Sequence, residues 1–172
     1  MQGIMVPLYR NTAIDKNRYS PKIKRAFEQI WNRTDLIVTT DKCGFNPPET
    51  AAFTYRGIGL HWDVSLVSPI PFGTQGILYL TDTAENQGAL TVVPGFHKKL
   101  ETWLKDLPEN MNPREVNLSG SGTKAIAARA GDFIIWNHKL PHSSSPNKAS
   151  LPRIVQYMNW YAPLEKLQQE WI

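Results

Sequence analysis

The chain has 172 residues, 41% of them apolar and 20% charged, enough for one substantial core and too apolar for a disordered polypeptide. Its net charge of +4 is scattered among acids rather than gathered into a stripe, which argues against a nucleic-acid partner and leaves a small-molecule substrate as the expectation. No apolar run approaches membrane-spanning length, and Cys43 is the single cysteine, so no disulfide framework can form and a reducing, cytoplasmic setting is expected.

Residues 1–19 mix Pro7, Arg10, Asn11 and Asp15 with few apolar positions and read as irregular. Ser20-Pro21 then suits a helix start, because Ser can cap free N–H groups and Pro fits the first turn. Ile23, Ala26, Phe27, Ile30 and Trp31 follow at helical spacing and form one apolar stripe, expected to pack on the outside of a sheet. Strand signals rich in β-branched and aromatic residues follow at 36–40, 52–55, 58–64, 77–81, 89–93, 124–129, 133–136 and 153–160. Turn residues separate them, as in Asn46-Pro47-Pro48, Asn86-Gln87-Gly88 and Ser143 to Asn147. One further helix is expected after Pro94-Gly95, where Leu100, Trp103, Leu104 and Leu107 fall at i, i+3, i+4 and i+7 before Pro108 ends it.

This pattern predicts a mainly β fold, a jelly roll or cupin-like barrel with one or two flanking helices. The whole of 1–172 is expected to be one domain: an N-terminal segment plus helix over 1–34, a β core over 35–162 and a tail over 163–172 that suits a short helix.

The chemistry concentrates in His61-Trp62-Asp63. On a strand, side chains at i and i+2 share a face, so His61 and Asp63 project together and can ligate one ion. A second His completes the two-His-one-carboxylate face of non-haem iron(II) oxygenases, which leaves coordination positions open for cosubstrate and oxygen. The spacing alone is weak, since a His-x-acid triplet arises by chance in about one such chain in three. His142 and His138 compete for the third position, and the Pro141-His142-Ser143-Ser144-Ser145-Pro146-Asn147 context favours His142. Arg153, eleven residues beyond His142, offers a planar fork suited to a carboxylate of the cosubstrate.

Together these blocks resemble the phytanoyl-CoA dioxygenase family over residues 35–162. The resemblance rests on His61-Trp62-Asp63, on the run from Asn86 to His97, and on Gly131-Asp132 through His142, Ser144, Pro146-Asn147 and Arg153. Pro94-Gly95-Phe96-His97 stands where the family usually carries Pro-Gly-Ser-His. The resemblance implies a double-stranded β-helix that couples decarboxylation of 2-oxoglutarate to hydroxylation by O2, releasing succinate and CO2. It implies iron(II) on His61, Asp63 and His142, with Arg153 and Ser144 holding the far carboxylate of 2-oxoglutarate. An Asp at the carboxylate position implies hydroxylation rather than halogenation. Fewer residues precede His61 than the family commonly carries, so a less covered pocket is expected. Two other readings share these residues: a cupin-type metalloenzyme that does not use 2-oxoglutarate, and a family member that binds metal or ligand without turnover.

The remaining notable residues read as scaffold. His97 suits a capping or surface position, and Trp62 and Val64 point away from the ligands into packing. Ile77, Tyr79, Trp136 and Trp160 are expected in the core, with Trp136 and Trp160 as possible pocket walls.

Overall fold

A computed structural model describes residues 5–55, 57 and 59–163. Ten short strands and three α-helices make a mainly β architecture, as the pattern predicts. In chain order they are β1 (Met5–Val6), α1 (Thr12–Arg18), α2 (Pro21–Trp31), β2 (Ile37–Val38), β3 (Cys43–Asn46), β4 (Thr74–Tyr79) and β5 (Leu90–Val92). Then follow α3 (Leu100–Lys105), β6 (Lys124–Ile126), β7 (Phe133–Asn137), β8 (His142–Ser144), β9 (Arg153–Tyr157) and β10 (Trp160–Tyr161). A five-stranded sheet runs β1-β3-β9-β4-β7, and a three-stranded sheet runs β6-β5-β8. A small β10-β2 pair adjoins them, and every ladder is antiparallel.

The two main sheets close over one apolar core because their strands alternate inward and outward. Ile77 and Tyr79 of β4, Val155 of β9 and Trp136 of β7 meet Leu90 and Val92 of β5 there. The Tyr79 hydroxyl accepts a hydrogen bond from the Leu90 amide at 3.1 Å, tying one sheet to the other across the core. The outward residues of β7, Phe133 and Ile135, pack instead beneath α2, where Phe27, Leu36 and Trp160 form a second cluster. Phe27 meets Phe133 edge-on at 5.8 Å. Ile23, Phe27 and Trp31 of the α2 stripe therefore cover the outside of the sheet, as their spacing predicts, whereas Ile30 of the same stripe is exposed.

The structure departs from the sequence pattern in several places. The described residues 5–19 are not irregular throughout: α1 forms behind an Asn11 cap, whose side chain accepts from the Ala13 amide. This helix docks through polar groups. Arg18 is fully buried, pairs with Asp15 and donates to the Tyr9 and Asp41 carbonyls, while Asn17 donates to Gln156 and Gln156 to the Ile14 carbonyl. Hydrophobic periodicity has no means of reporting such a face. Residues 52–55 form a turn closed by a Thr50–Phe53 bridge rather than a strand. The described part of 58–64 is likewise not a ladder strand, and His61 alone bridges to β8. β3 and β8 occupy stretches that read as turn or went unassigned, since Cys43-Gly44-Phe45-Asn46 and His142-Ser143-Ser144 are short and partly polar. The 153–160 strand breaks at Met158-Asn159 into β9 and β10, and α3 stops at Lys105, before Leu107. The expected helix over 163–172 falls, but for Pro163, outside the described residues. No helix among the described residues is long and apolar enough to cross a membrane.

Candidate metal centre

His142 begins β8, inside the barrel wall, and His61 reaches it from the irregular stretch before β4. The two residues exchange backbone hydrogen bonds, N to O at 3.0 Å in both directions. This antiparallel bridge sets their rings side by side with centroids 4.6 Å apart. Asp63 follows two residues later, and its carboxylate, 55% exposed, turns to the same point. One ligand atom from each of the three lies within 4.8 Å of the others. The structure thus brings His61, Asp63 and His142 together, although a regular strand is not what aligns them.

Side chains do that work for the irregular stretch. The Trp62 indole donates to the Lys139 carbonyl at 2.9 Å and packs against Phe96 and Trp103. Arg114, on a single 3-10 turn, donates to the Trp62 and Val64 carbonyls at 2.6 Å each and so grips the backbone on both sides of Asp63. Trp62 and Val64 are buried in the main core, as expected for residues facing away from the ligands.

Both imidazoles are set in the same way. Nδ1 of His61 lies 3.0 Å from the Gly59 carbonyl and Nδ1 of His142 lies 3.1 Å from the Leu140 carbonyl. A carbonyl only accepts, so each Nδ1 carries its hydrogen and each Nε2 is turned to Asp63, at 3.5 Å for His61 and 3.2 Å for His142. Two Nε2 atoms and a carboxylate converging at one point require either protons on the rings or a cation between them. The hydrogen bonds from His142, and then from His61, hold the Asp63 carboxyl well below the usual carboxylate range. Burial pulls the His61 pKa down, but the Asp63 carboxylate and the Gly59 carbonyl outweigh it and the balance is raised.

A cavity of about 520 Å³ includes the three groups in its wall, together with Gln75, Ile77, Trp136, Ser144, Arg153, Tyr55 and Tyr157. Arg153 is buried at 1% exposure. Its Nη1 donates to the Gly88 carbonyl at 2.6 Å and to Ser144 Oγ at 2.8 Å, and its Nη2 donates to the Tyr157 hydroxyl at 3.1 Å. Gly88 has a φ of +68°, and a side chain there would collide with Asn46, so glycine is required where this carbonyl meets the guanidinium. The Ser144 and Tyr157 oxygens accept from Arg153, so each hydroxyl keeps its own hydrogen as a donor, and Ser144 also hydrogen-bonds Tyr55. Nε of Arg153 is buried without a partner among the described residues. A buried guanidinium with one unpartnered N–H and two hydroxyls around it offers donors suited to a carboxylate.

The other candidates fall outside this constellation. His138 turns away, its Nε2 2.8 Å from the Pro71 carbonyl and its ring beneath Gly73. His97 lies in the 3-10 turn before α3. Trp136 lines the cavity and stacks near His142, at 5.3 Å between centroids, whereas Trp160 belongs to the cluster under α2. Gln75, Arg114 and Tyr157 were not visible as site residues in the sequence. A lone Gln, Arg or Tyr has no spacing signature, and only the inward parity of Gln75 with Ile77 and Tyr79 hints at one of them.

The family model described as "Phytanoyl-CoA dioxygenase (PhyH)" matches residues 7–155. A Dictyostelium discoideum protein named "Putative phytanoyl-CoA dioxygenase" is 25% identical over 181 aligned positions, covering 83% of this chain and 52% of its own length. The chain therefore spans about half the length of this curated relative. Among solved structures, EctD from S. alaskensis with bound Fe is similar with a TM-score of 0.66 at 16% identity, over 95% of this chain and 59% of that one. The non-heme alpha-ketoglutarate-dependent carbocyclase SnoK from nogalamycin biosynthesis gives 0.59 at 17% identity, over 85% and 57%. At such identities the likeness is one of fold.

Proposed function

Because the chain belongs to the phytanoyl-CoA dioxygenase family, we propose that its cavity is an iron(II) and 2-oxoglutarate site that hydroxylates a small organic substrate with O2. The observation that carries this reading is the pairing of two donor sets in one cavity: His61, Asp63 and His142 at one place, and the buried, incompletely satisfied Arg153 at another.

Two imidazole nitrogens and one carboxylate oxygen fit the ligand chemistry of iron(II), and three protein ligands leave room for further ones. His61, Asp63 and His142 would hold the ion, their Nδ1 hydrogens pinned to backbone carbonyls so that the Nε2 lone pairs face it. Bound iron(II) with 2-oxoglutarate supplies oxidative decarboxylation of that cosubstrate, to succinate and CO2, coupled to insertion of oxygen into a C–H bond. The chain's own part is placement. Arg153 would take the far carboxylate of 2-oxoglutarate, with Ser144 and Tyr157 donating beside it. Leu90, Ile77 and Trp136 make the neighbouring wall apolar, which excludes water from the reacting carbon.

The test is anaerobic loading with iron(II), followed by 2-oxoglutarate and air, with succinate and CO2 measured. Decarboxylation by the wild type, abolished in Asp63→Ala together with at least about a hundredfold loss of iron affinity, is the expected result. Equal succinate from both proteins would sink the assignment.

A further inference from the structure

Asp63 is the ligand with the least regular support. It stands on a stretch without ladder pairing, and its carboxylate is half exposed. One side chain reaches it from the strongest part of the fold. Gln75 lies on β4, a central strand of the five-stranded sheet, and shares the inward face of Ile77 and Tyr79. Its Nε2 donates to Asp63 Oδ2 at 2.6 Å, and its Oε1 accepts from the Trp136 indole at 3.0 Å. Gln75 and Trp136 are direct cross-strand partners in the β4–β7 ladder, so register alone sets them side by side.

The chemistry of the three groups leaves this relay one direction. An indole N–H only donates, and an ionised carboxylate only accepts. The amide between them has one acceptor end and one donor end, so its oxygen must face Trp136 and its N–H₂ must face Asp63. Turned around, the amide would set N–H against N–H at one end and oxygen against oxygen at the other. Trp136 therefore fixes the orientation of Gln75, and Gln75 fixes the plane of the carboxylate.

We propose that Gln75, oriented by Trp136, is a positioning residue that holds the Asp63 carboxylate as a metal ligand. The inference rests on the metal reading above and adds to it the residues that make the exposed ligand rigid. With one oxygen engaged by the amide, the carboxylate is held against swinging into solvent and against closing on an ion with both oxygens. The sheet thereby adds its rigidity to a carboxylate whose backbone Arg114 holds but whose side chain reaches half into solvent.

The experiment is anaerobic titration of the full chain with cobalt(II), reading both affinity and the visible absorption of the bound ion. Gln75→Met preserves length and removes both hydrogen bonds. Trp136→Phe keeps an aromatic ring against His142 and removes the indole N–H together with the volume of the second ring, a packing loss that the thermal midpoint registers. Gln75→Met is expected to weaken cobalt binding about 10- to 100-fold and to change the absorption band, with the thermal midpoint in chelator serving as a fold control. Trp136→Phe is expected to cause a smaller loss, and adding it to Gln75→Met is expected to cost nothing more, because the relay is already broken. Wild-type affinity and spectrum in Gln75→Met overturn the proposal, as do losses that multiply independently in the double variant. Should Gln75→Met fail to fold, Trp136→Phe decides alone: unchanged affinity with an unchanged band overturns the relay. A wild type that takes up no cobalt overturns the metal reading and the relay with it. Uptake abolished by Asp63→Ala yet indifferent to Gln75→Met overturns the relay only.

Discussion

Arg153 shows how much one side chain can carry when it is buried. At 1% exposure it satisfies the Gly88 carbonyl and two hydroxyls and still keeps one N–H without a partner among the described residues. Its cation also lies 5.8 Å from the Tyr79 ring centre, which offsets part of the cost of removing it from water. Arg153→Lys retains the charge but loses the planar fork. Each hydrogen bond to a charged group is worth about 1.5–3 kcal/mol, so the 2-oxoglutarate dissociation constant is expected to rise at least about tenfold. Iron affinity is expected to stay unchanged, since among the described residues no hydrogen bond or ion pair joins Arg153 to His61, Asp63 or His142. Calorimetric titration of each ligand separately checks both halves. An unaltered 2-oxoglutarate affinity would remove Arg153 from the cosubstrate site.

At the scale of elements, the fold uses two kinds of attachment. α2 is held by apolar burial: Phe27 is fully buried against Phe133, Leu36 and Trp160, and the Trp31 indole donates to Thr74 at 3.1 Å. Phe27→Ala removes the centre of that cluster and is expected to cost about 3–5 kcal/mol of stability, measurable by denaturant unfolding. A loss under 1 kcal/mol would mean that α2 is not anchored by this residue. α1 and the stretch that carries His61 and Asp63 are held by polar groups instead, through Arg18 and Gln156 in one case and Arg114 and Trp62 in the other. Those two segments are among those whose local form the apolar pattern misread. The sequence pattern located α2, β4, β5, β7 and β9 because apolar, β-branched and aromatic residues dominate them, at helical spacing in α2 and as continuous runs in the strands. It missed α1 because the buried face of that helix is Ile14 and Arg18, and it missed β8 because three residues, His142-Ser143-Ser144, read locally as a turn.

For the whole molecule, the candidate metal centre links parts of the chain that are far apart in sequence. His61 and Asp63 precede β4, whereas His142 belongs to β8, so a bound ion would cross-link the two. An ion that binds only the folded protein stabilises it by mass action, about 2.7 kcal/mol at a hundredfold excess over its dissociation constant. For a chain of this size that corresponds to a rise of roughly 5–10 °C in the unfolding midpoint. Thermal unfolding with and without anaerobic iron(II) or cobalt(II) is expected to show this rise in the wild type and none in Asp63→Ala. A midpoint indifferent to metal in the wild type would count against the centre.

The sequence by itself determined the chemistry available: His61, Asp63, His142 and Arg153 could be named as candidates from residue type, spacing and flanking blocks, Ser144 from the family resemblance, and the β-rich class from the run of strand signals. These are local properties, since a side chain's ligating atoms and a strand's period belong to the residues themselves. The tertiary structure decided how the pieces meet. It rejected His138, whose ring turns to the Pro71 carbonyl, and it aligned His61 with Asp63 through a bridge to β8 and the grip of Arg114 rather than through a strand. It also placed Gln75 and Trp136 behind the carboxylate. Those outcomes depend on cross-strand register and on hydrogen bonds between residues tens of positions apart, and no local pattern of apolar and polar residues encodes them.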